Sequence, residues 1–115
     1  MIEIEFSVEL KDVHRLDRMT SGLLIFAKNS QTCASLQNSI KNNKAIKIYL
    51  ARVKGKFPAS TIICDKPMKC ADKKIGKNVI CSEFDDLGKK AITEFNLFFY
   101  DSNSNTSIIK CKIKR

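Results

Sequence analysis

From Ile2 to Leu10 apolar residues alternate with polar ones, placing Ile2, Ile4, Phe6, Val8 and Leu10 on one side of an extended chain. This pattern predicts a half-buried first strand. The following DVHRLDRMTSG has no sustained apolar period and reads as a loop, after which Leu23 to Ala27 form a continuous apolar run expected to be a strand buried on both faces. Asn29 or Ser30 is positioned to cap a helix running to about Lys41, with Cys33, Leu36, Gln37 and Ile40 on one side and Ala34 favouring the conformation. Ala45 to Val53 returns to a period of two. Ile46, Ile48, Leu50 and Arg52 fall on one face and Lys47, Tyr49, Ala51 and Val53 on the other, before Gly55 and Pro58 close the segment.

Thr61 to Cys64 predicts a further short strand, and Lys66 to Asp86, weakly periodic and rich in both charge signs, predicts a long basic loop or an irregular hairpin. Ala91 to Phe99 and Ile108 to Ile113 read as two strands joined through the turn-forming DSNSN stretch. One or two helices among many strands with hairpin-length links give an α+β class, built on a mixed but largely antiparallel sheet. Residues 1–115 are read as a single domain without internal repeat or linker.

A hydrophobic share of 43% beside 29% charged residues is that of a folding globular chain. No apolar run nears the roughly 18 residues of a membrane-spanning helix, and the N-terminus lacks a signal-sequence pattern, so no membrane partner is expected. Twenty-one Lys and Arg residues against 12 Asp and Glu leave a net charge of +9, which makes RNA or DNA the expected partner. Much of the excess lies between Lys41 and Lys56, where no acid occurs, and from Lys66 to Lys77, where Asp72 is the only one. A solvated lysine-rich face is the plainer reading of such runs.

Five cysteines, Cys33, Cys64, Cys70, Cys81 and Cys111, are an odd number with no C-x-x-C pair. They signal neither a disulfide framework nor a zinc site, and reduced thiols fit an intracellular protein, with the cytoplasm placed ahead of an organelle. No metal is expected. In the loop, Asp17 stands between Arg15 and Arg18, whose charges favour its ionised form, and an ionised carboxylate can serve as nucleophile or base. On residue chemistry alone, a surface ion pair or turn residue is the commoner account of such an aspartate.

The stretch His14-Arg15-Leu16-Asp17-Arg18-Met19-Thr20-Ser21-Gly22-Leu23-Leu24 resembles the signature of the RluA-type family of RNA pseudouridine synthases, His-Arg-Leu-Asp-Arg followed by Thr-Ser-Gly-Leu-Leu. Two later blocks keep the family's order: Lys47-Ile48-Tyr49-Leu50-Ala51 with Val53, Gly55, Phe57 and Pro58, and Gly88-Lys89-Lys90-Ala91-Ile92-Thr93. The resemblance implies cofactor-free isomerisation of uridine to pseudouridine in ribosomal or transfer RNA. Asp17 matches the family's catalytic aspartate and Tyr49 its active-site tyrosine, which stacks on the target base and is a candidate for proton abstraction. Arg15 matches the residue that fills the gap left by the flipped nucleotide or holds that nucleotide. Arg18 is expected to pair with acid or with phosphate, and His14, Thr20, Ser21 and Gly22 are expected to order and shape the loop. Met19 stands where many members carry an acid.

The chain lacks the apolar-Asn-Lys-Pro-x-Gly segment that usually precedes the aspartate, and it stops at Arg115, before the family's Gly-Arg-x-His-Gln-Ile-Arg segment. A basic residue of that segment pairs with the catalytic aspartate. The expectation is therefore a truncated pseudouridine-synthase-like catalytic domain, either an active isomerase or a non-catalytic RNA-binding relic, with strand edges that favour self-association. A small basic ribosomal protein would explain the charge but not three ordered motif blocks.

Overall fold

The computed structural model describes residues 9–72, 77–80 and 89–114. The described chain up to Ala45 forms one compact unit and that from Ile46 onward a second. In the first, β1 (Lys11–Asp12) pairs antiparallel with β2 (Phe26–Ala27), and α1 (Ser30–Lys41) packs beside them. Asn29 caps the helix by accepting the Thr32 N–H on Oδ1 at 2.8 Å, and Lys41 lies in the last turn, where a cation suits the carbonyl end. The helix turns Cys33, Leu36 and Ile40 inward against Val13 and Ala27, the spacing expected of them. The Asp12 carbonyl accepts hydrogen bonds from the Cys33 thiol and the Gln37 side-chain amide, both at 3.3 Å, and so ties helix to strand.

Two expectations for this unit need correction. Leu23 to Ala27 is not a strand buried on both faces: only Phe26–Ala27 pairs, Leu23 is 92% exposed, and Leu24, Ile25 and Phe26 are exposed as well. The ladder with β1 is two residues long, so among the described residues the rest of the run has no neighbouring strand. Asp12, read as part of the loop, is in that ladder. Glu9 and Leu10 are not in a strand, and the remainder of the predicted first strand, residues 2–8, lies outside the described residues.

The second unit is built on a four-stranded antiparallel sheet of β3 (Lys47–Lys54), β4 (Ile62–Asp65), β7 (Ile92–Asp101) and β8 (Thr106–Ile113), in the order β3-β8-β7-β4. The predicted hairpin is present as β7 and β8, with Asn105 at φ 49° completing its turn. Between β4 and β7, β5 (Met68–Asp72) and β6 (Lys77–Ile80) form a hairpin with a register shift between Cys70 and Asp72. The irregular hairpin is thus the arrangement found, while residues 73–76 and 81–86 of that predicted segment lie outside the described ones. Among the described residues no helix is long and apolar enough to cross a membrane.

The pairing register divides the sheet into two unlike faces. Tyr49, Ala51, Val53, Ile62, Cys64, Phe95, Leu97, Tyr100, Ser107, Ile109, Cys111 and Ile113 share one of them. Ser107, Ile109 and Cys111 of the central strand β8 are its buried residues. Arg52, Lys54, Asp65, Glu94, Asp101, Lys110 and Lys112 fall on the opposite face. The polar Ser107 is fully buried because both its functions are used: Oγ accepts the Phe57 N–H at 2.8 Å and donates to the Gly55 carbonyl at 2.7 Å. Gly55, at φ 83°, makes that bend without the penalty a Cβ would bring.

Candidate active site

In the first unit the signature loop leaves and re-enters the small sheet through a closed neck. The Val13 N–H reaches the Ile25 carbonyl at 3.4 Å, and the Ile25 N–H donates to His14 Nε2 at 3.1 Å. His14 accepts this hydrogen bond and ties the two ends of the loop together.

Farther out, the Thr20 N–H donates to the Asp17 carbonyl at 2.9 Å and closes a four-residue turn with Arg18 and Met19 at its centre. Asp17 occupies the first position of the turn, a place that suits aspartate. Its carboxylate is exposed, as are Arg15, Arg18 and Ser21, while Thr20 is half-buried and Met19 is 92% exposed. Among the described residues no ion pair joins Asp17 to either arginine. Gly22, at φ 149°, has open space where a Cβ would stand, so the conformation of the loop and not crowding calls for glycine there. The structure thus brings His14, Arg15, Asp17, Arg18, Thr20, Ser21 and Gly22 together on one loop.

Tyr49 belongs to the second unit. It lies on the edge strand β3, on the apolar face of the sheet, with 42% of its surface exposed. Opposite it on β8 is Cys111, and the row continues through Phe95 on β7 to Ile62 on β4. The Cys111 thiol is 8% exposed, and burial pushes its pKa up, so it lines this floor as a neutral group. A phenol ring above an apolar row offers a flat face for stacking and a hydroxyl for proton exchange. Two rows away Tyr100 lies on the same face, its ring covered by Lys56 with Nζ 5.6 Å from the centroid.

The sequence reasoning gave no role to Lys47 or Cys111. Lys47 shares the face of Tyr49 by strict alternation, a signal present in the sequence. The placement of Cys111 opposite Tyr49 depends on strand register, which alternation alone leaves undetermined. Among the described residues no group of three His, Cys, Asp or Glu side chains is spaced to hold a metal ion.

The family model described as RNA pseudouridylate synthase matches residues 3–115. The chain is 34% identical over 112 residues to a mitochondrial tRNA pseudouridine(32) synthase of Saccharomyces cerevisiae, covering 97% of this chain and 24% of the yeast protein. It is also 34% identical over 97 residues to the dual-specificity RNA pseudouridine synthase RluA of Vibrio vulnificus, covering 84% of this chain and 38% of that one. Among solved structures, Human RNA Pseudouridylate Synthase Domain Containing 1 superposes with a TM-score of 0.74 at 20% identity, over 93% of this chain and 46% of the human one. This likeness extends the agreement to the fold. The chain spans about a quarter of the yeast relative's length and less than half of the bacterial one's. A match over nearly the whole chain, with bacterial and yeast relatives above 30% identity, makes it a member of the RNA pseudouridylate synthase family, of the RluA type.

Proposed function

We propose that this chain carries the catalytic core of an enzyme that isomerises uridine to pseudouridine within RNA. Asp17 is its catalytic carboxylate and Tyr49 its stacking or proton-transfer partner. The observation that carries the reading is Asp17 itself: an exposed carboxylate at the first position of the turn that the Thr20 N–H closes on the Asp17 backbone carbonyl, on a loop tied at its neck by His14. In the reaction the bond from uracil N1 to ribose C1′ breaks, the base turns, and C5 bonds to C1′. The proton leaves C5, N1 gains one, and no electrons are exchanged, so no redox cofactor is required.

A carboxylate at the ribose can bond to C1′ or stabilise its developing positive charge, and one at the base can form an adduct with the ring. Tyr49 presents a ring face to the flipped uracil and a hydroxyl able to take the C5 proton. Arg15 fills the gap in the RNA helix or holds the nucleotide, and Arg18 binds phosphate. His14, Thr20, Ser21 and Gly22 keep the loop in shape. The RNA partner is supported by the net charge of +9, and work on RNA supports an intracellular location. Among the described strands β3 and β4 are the edges of the sheet, and self-association of the isolated chain through such edges belongs to the same reading; a monodisperse monomer in light scattering at high concentration would count against it.

The test is tritium release from transfer or ribosomal RNA labelled at C5 of uridine, comparing the parent chain with Asp17→Ala. The proposal expects release from the parent and none above background from the variant, with RNA retention unchanged in both. Salt-sensitive RNA binding without release from either would favour a binding relic instead.

A further inference from the structure

We infer that Lys47 binds a backbone phosphate of the nucleotide whose base stacks on Tyr49, an inference that rests on the proposed function. The four strands of the sheet separate their charges by face. Arg52, Lys54, Asp65, Glu94, Asp101, Lys110 and Lys112 all lie on the face opposite Tyr49. Lys47 is the one charged strand residue on the face of Tyr49, and it is half-buried there. Its cross-strand neighbour is Ile113, and the row continues through Thr93 to Cys64, none of which carries a negative charge.

A lysine stem lying along an apolar face carries its ammonium to the border of that face, where no protein counter-charge meets it among the described residues, a position open to an anion. Among the described residues no carboxylate lies within ion-pair distance of it. Lys56, the other lysine over this face, is accounted for by the ring of Tyr100. Lys114, near the end of β8, is held by Glu94 at 2.8 Å. Lys47 is thus set apart from both by having no such neighbour among the described residues.

Its place fixes the class of anion. Lys47 and Tyr49 are two residues apart on one strand, so their side chains rise side by side about 7 Å apart at the backbone. A nucleotide stacked through its base on Tyr49 carries its phosphate to one side of the ring, within the span of a lysine stem. A compact ammonium with three donors suits the non-bridging oxygens of a phosphodiester without requiring bidentate geometry. Lys47 is therefore a positioning residue that holds the substrate by its backbone and leaves the bond changes to other groups.

The experiment follows the ring resonances of Tyr49 by NMR in the 115-residue chain during titration with uridine, uridine 3′-monophosphate and uridine 5′-monophosphate. One of the monophosphates is expected to bind roughly tenfold more tightly than uridine, the effect of one charge-assisted contact. Lys47→Gln should remove that difference, Lys47→Arg should largely keep it, and neither should alter the binding of uridine itself. Unperturbed spectra of the free variants verify that both fold.

Equal binding of uridine and both monophosphates would overturn the phosphate contact while leaving the base site intact. So would a monophosphate preference that survives in Lys47→Gln. Absence of any Tyr49 response to all three ligands would overturn the base site on which the inference rests, and the inference with it.

Discussion

Tyr49 and Cys111 face each other across the pairing of β3 with β8, so the tyrosine ring stands at the end of a row whose second member is a buried thiol. The thiolate is the reactive form of cysteine, and burial holds the Cys111 proton on more firmly than usual. Iodoacetamide at mildly alkaline pH should therefore modify Cys111 more slowly than the half-buried Cys64 of the same face. Denaturant should erase the difference. Site-resolved mass spectrometry of the alkylated chain measures both rates, and faster labelling of Cys111 in the folded protein would contradict the described floor.

How far the sequence could be read depended on whether a segment's pattern also specified what covers it. The helix was legible because Asn29 supplies a cap and Cys33, Leu36 and Ile40 repeat at helical spacing, two signals that agree. The strands β3, β7 and β8 were legible through alternation, which also put Lys47 beside Tyr49. Leu23 to Phe26 misled because an apolar run records hydrophobicity and not its neighbours, and β1 was missed because two residues carry no period. The neck bond from Ile25 to His14 joins residues eleven positions apart and has no local signature. Asp17 and Tyr49 stood out through the motif blocks, since an Asp between two Arg residues is common chemistry.

Ser107 is the point at which the chain leaving β3 is fastened to the sheet. Ser107→Ala removes the acceptor of the Phe57 N–H and the donor to the Gly55 carbonyl, leaving two backbone groups without their partner. A destabilisation of about 2 kcal/mol is expected. Urea denaturation should register it as a lower midpoint at unchanged slope. Ser107→Thr keeps the hydroxyl but adds a methyl group at a fully buried position, and should also lose stability through crowding.

Asn29→Ala deletes the side-chain acceptor of the Thr32 N–H and should cost about 1 kcal/mol, whereas Asn29→Asp should retain the cap and add a favourable charge at the helix N-terminus. Since α1 presents Cys33 and Gln37 to the Asp12 carbonyl, fraying of its first turn should loosen the tie to β1 as well. Hydrogen exchange should show faster exchange at Thr32 and Cys33 in the alanine variant. Unchanged exchange at both amides would exclude the cap as the element that holds this end of the helix.

Two carboxylates make stability depend on acid. Hydrogen bonds from the Ser104 hydroxyl and the Asn103 N–H hold the Asp101 carboxyl below its usual range, and Lys114 followed by Asn96 does the same for Glu94. A carboxyl that binds its proton less readily in the folded state contributes its stabilisation fully above the unfolded-state pKa. That contribution is lost as pH falls through the folded-state value, so the decline should begin below about pH 5 and the curve should be flat above it. Asp101→Asn should flatten the decline by removing one of the two titrations, and so should Glu94→Gln. Salt separates them: the exposed attraction of Glu94 to Lys114 is screened at high ionic strength, while the neutral donors on Asp101 keep theirs. Thermal midpoints of the three proteins across this range, at low and high salt, should leave Asp101→Asn with the larger residual effect at high salt, and a reversed order would show that the turn does not hold the Asp101 carboxylate.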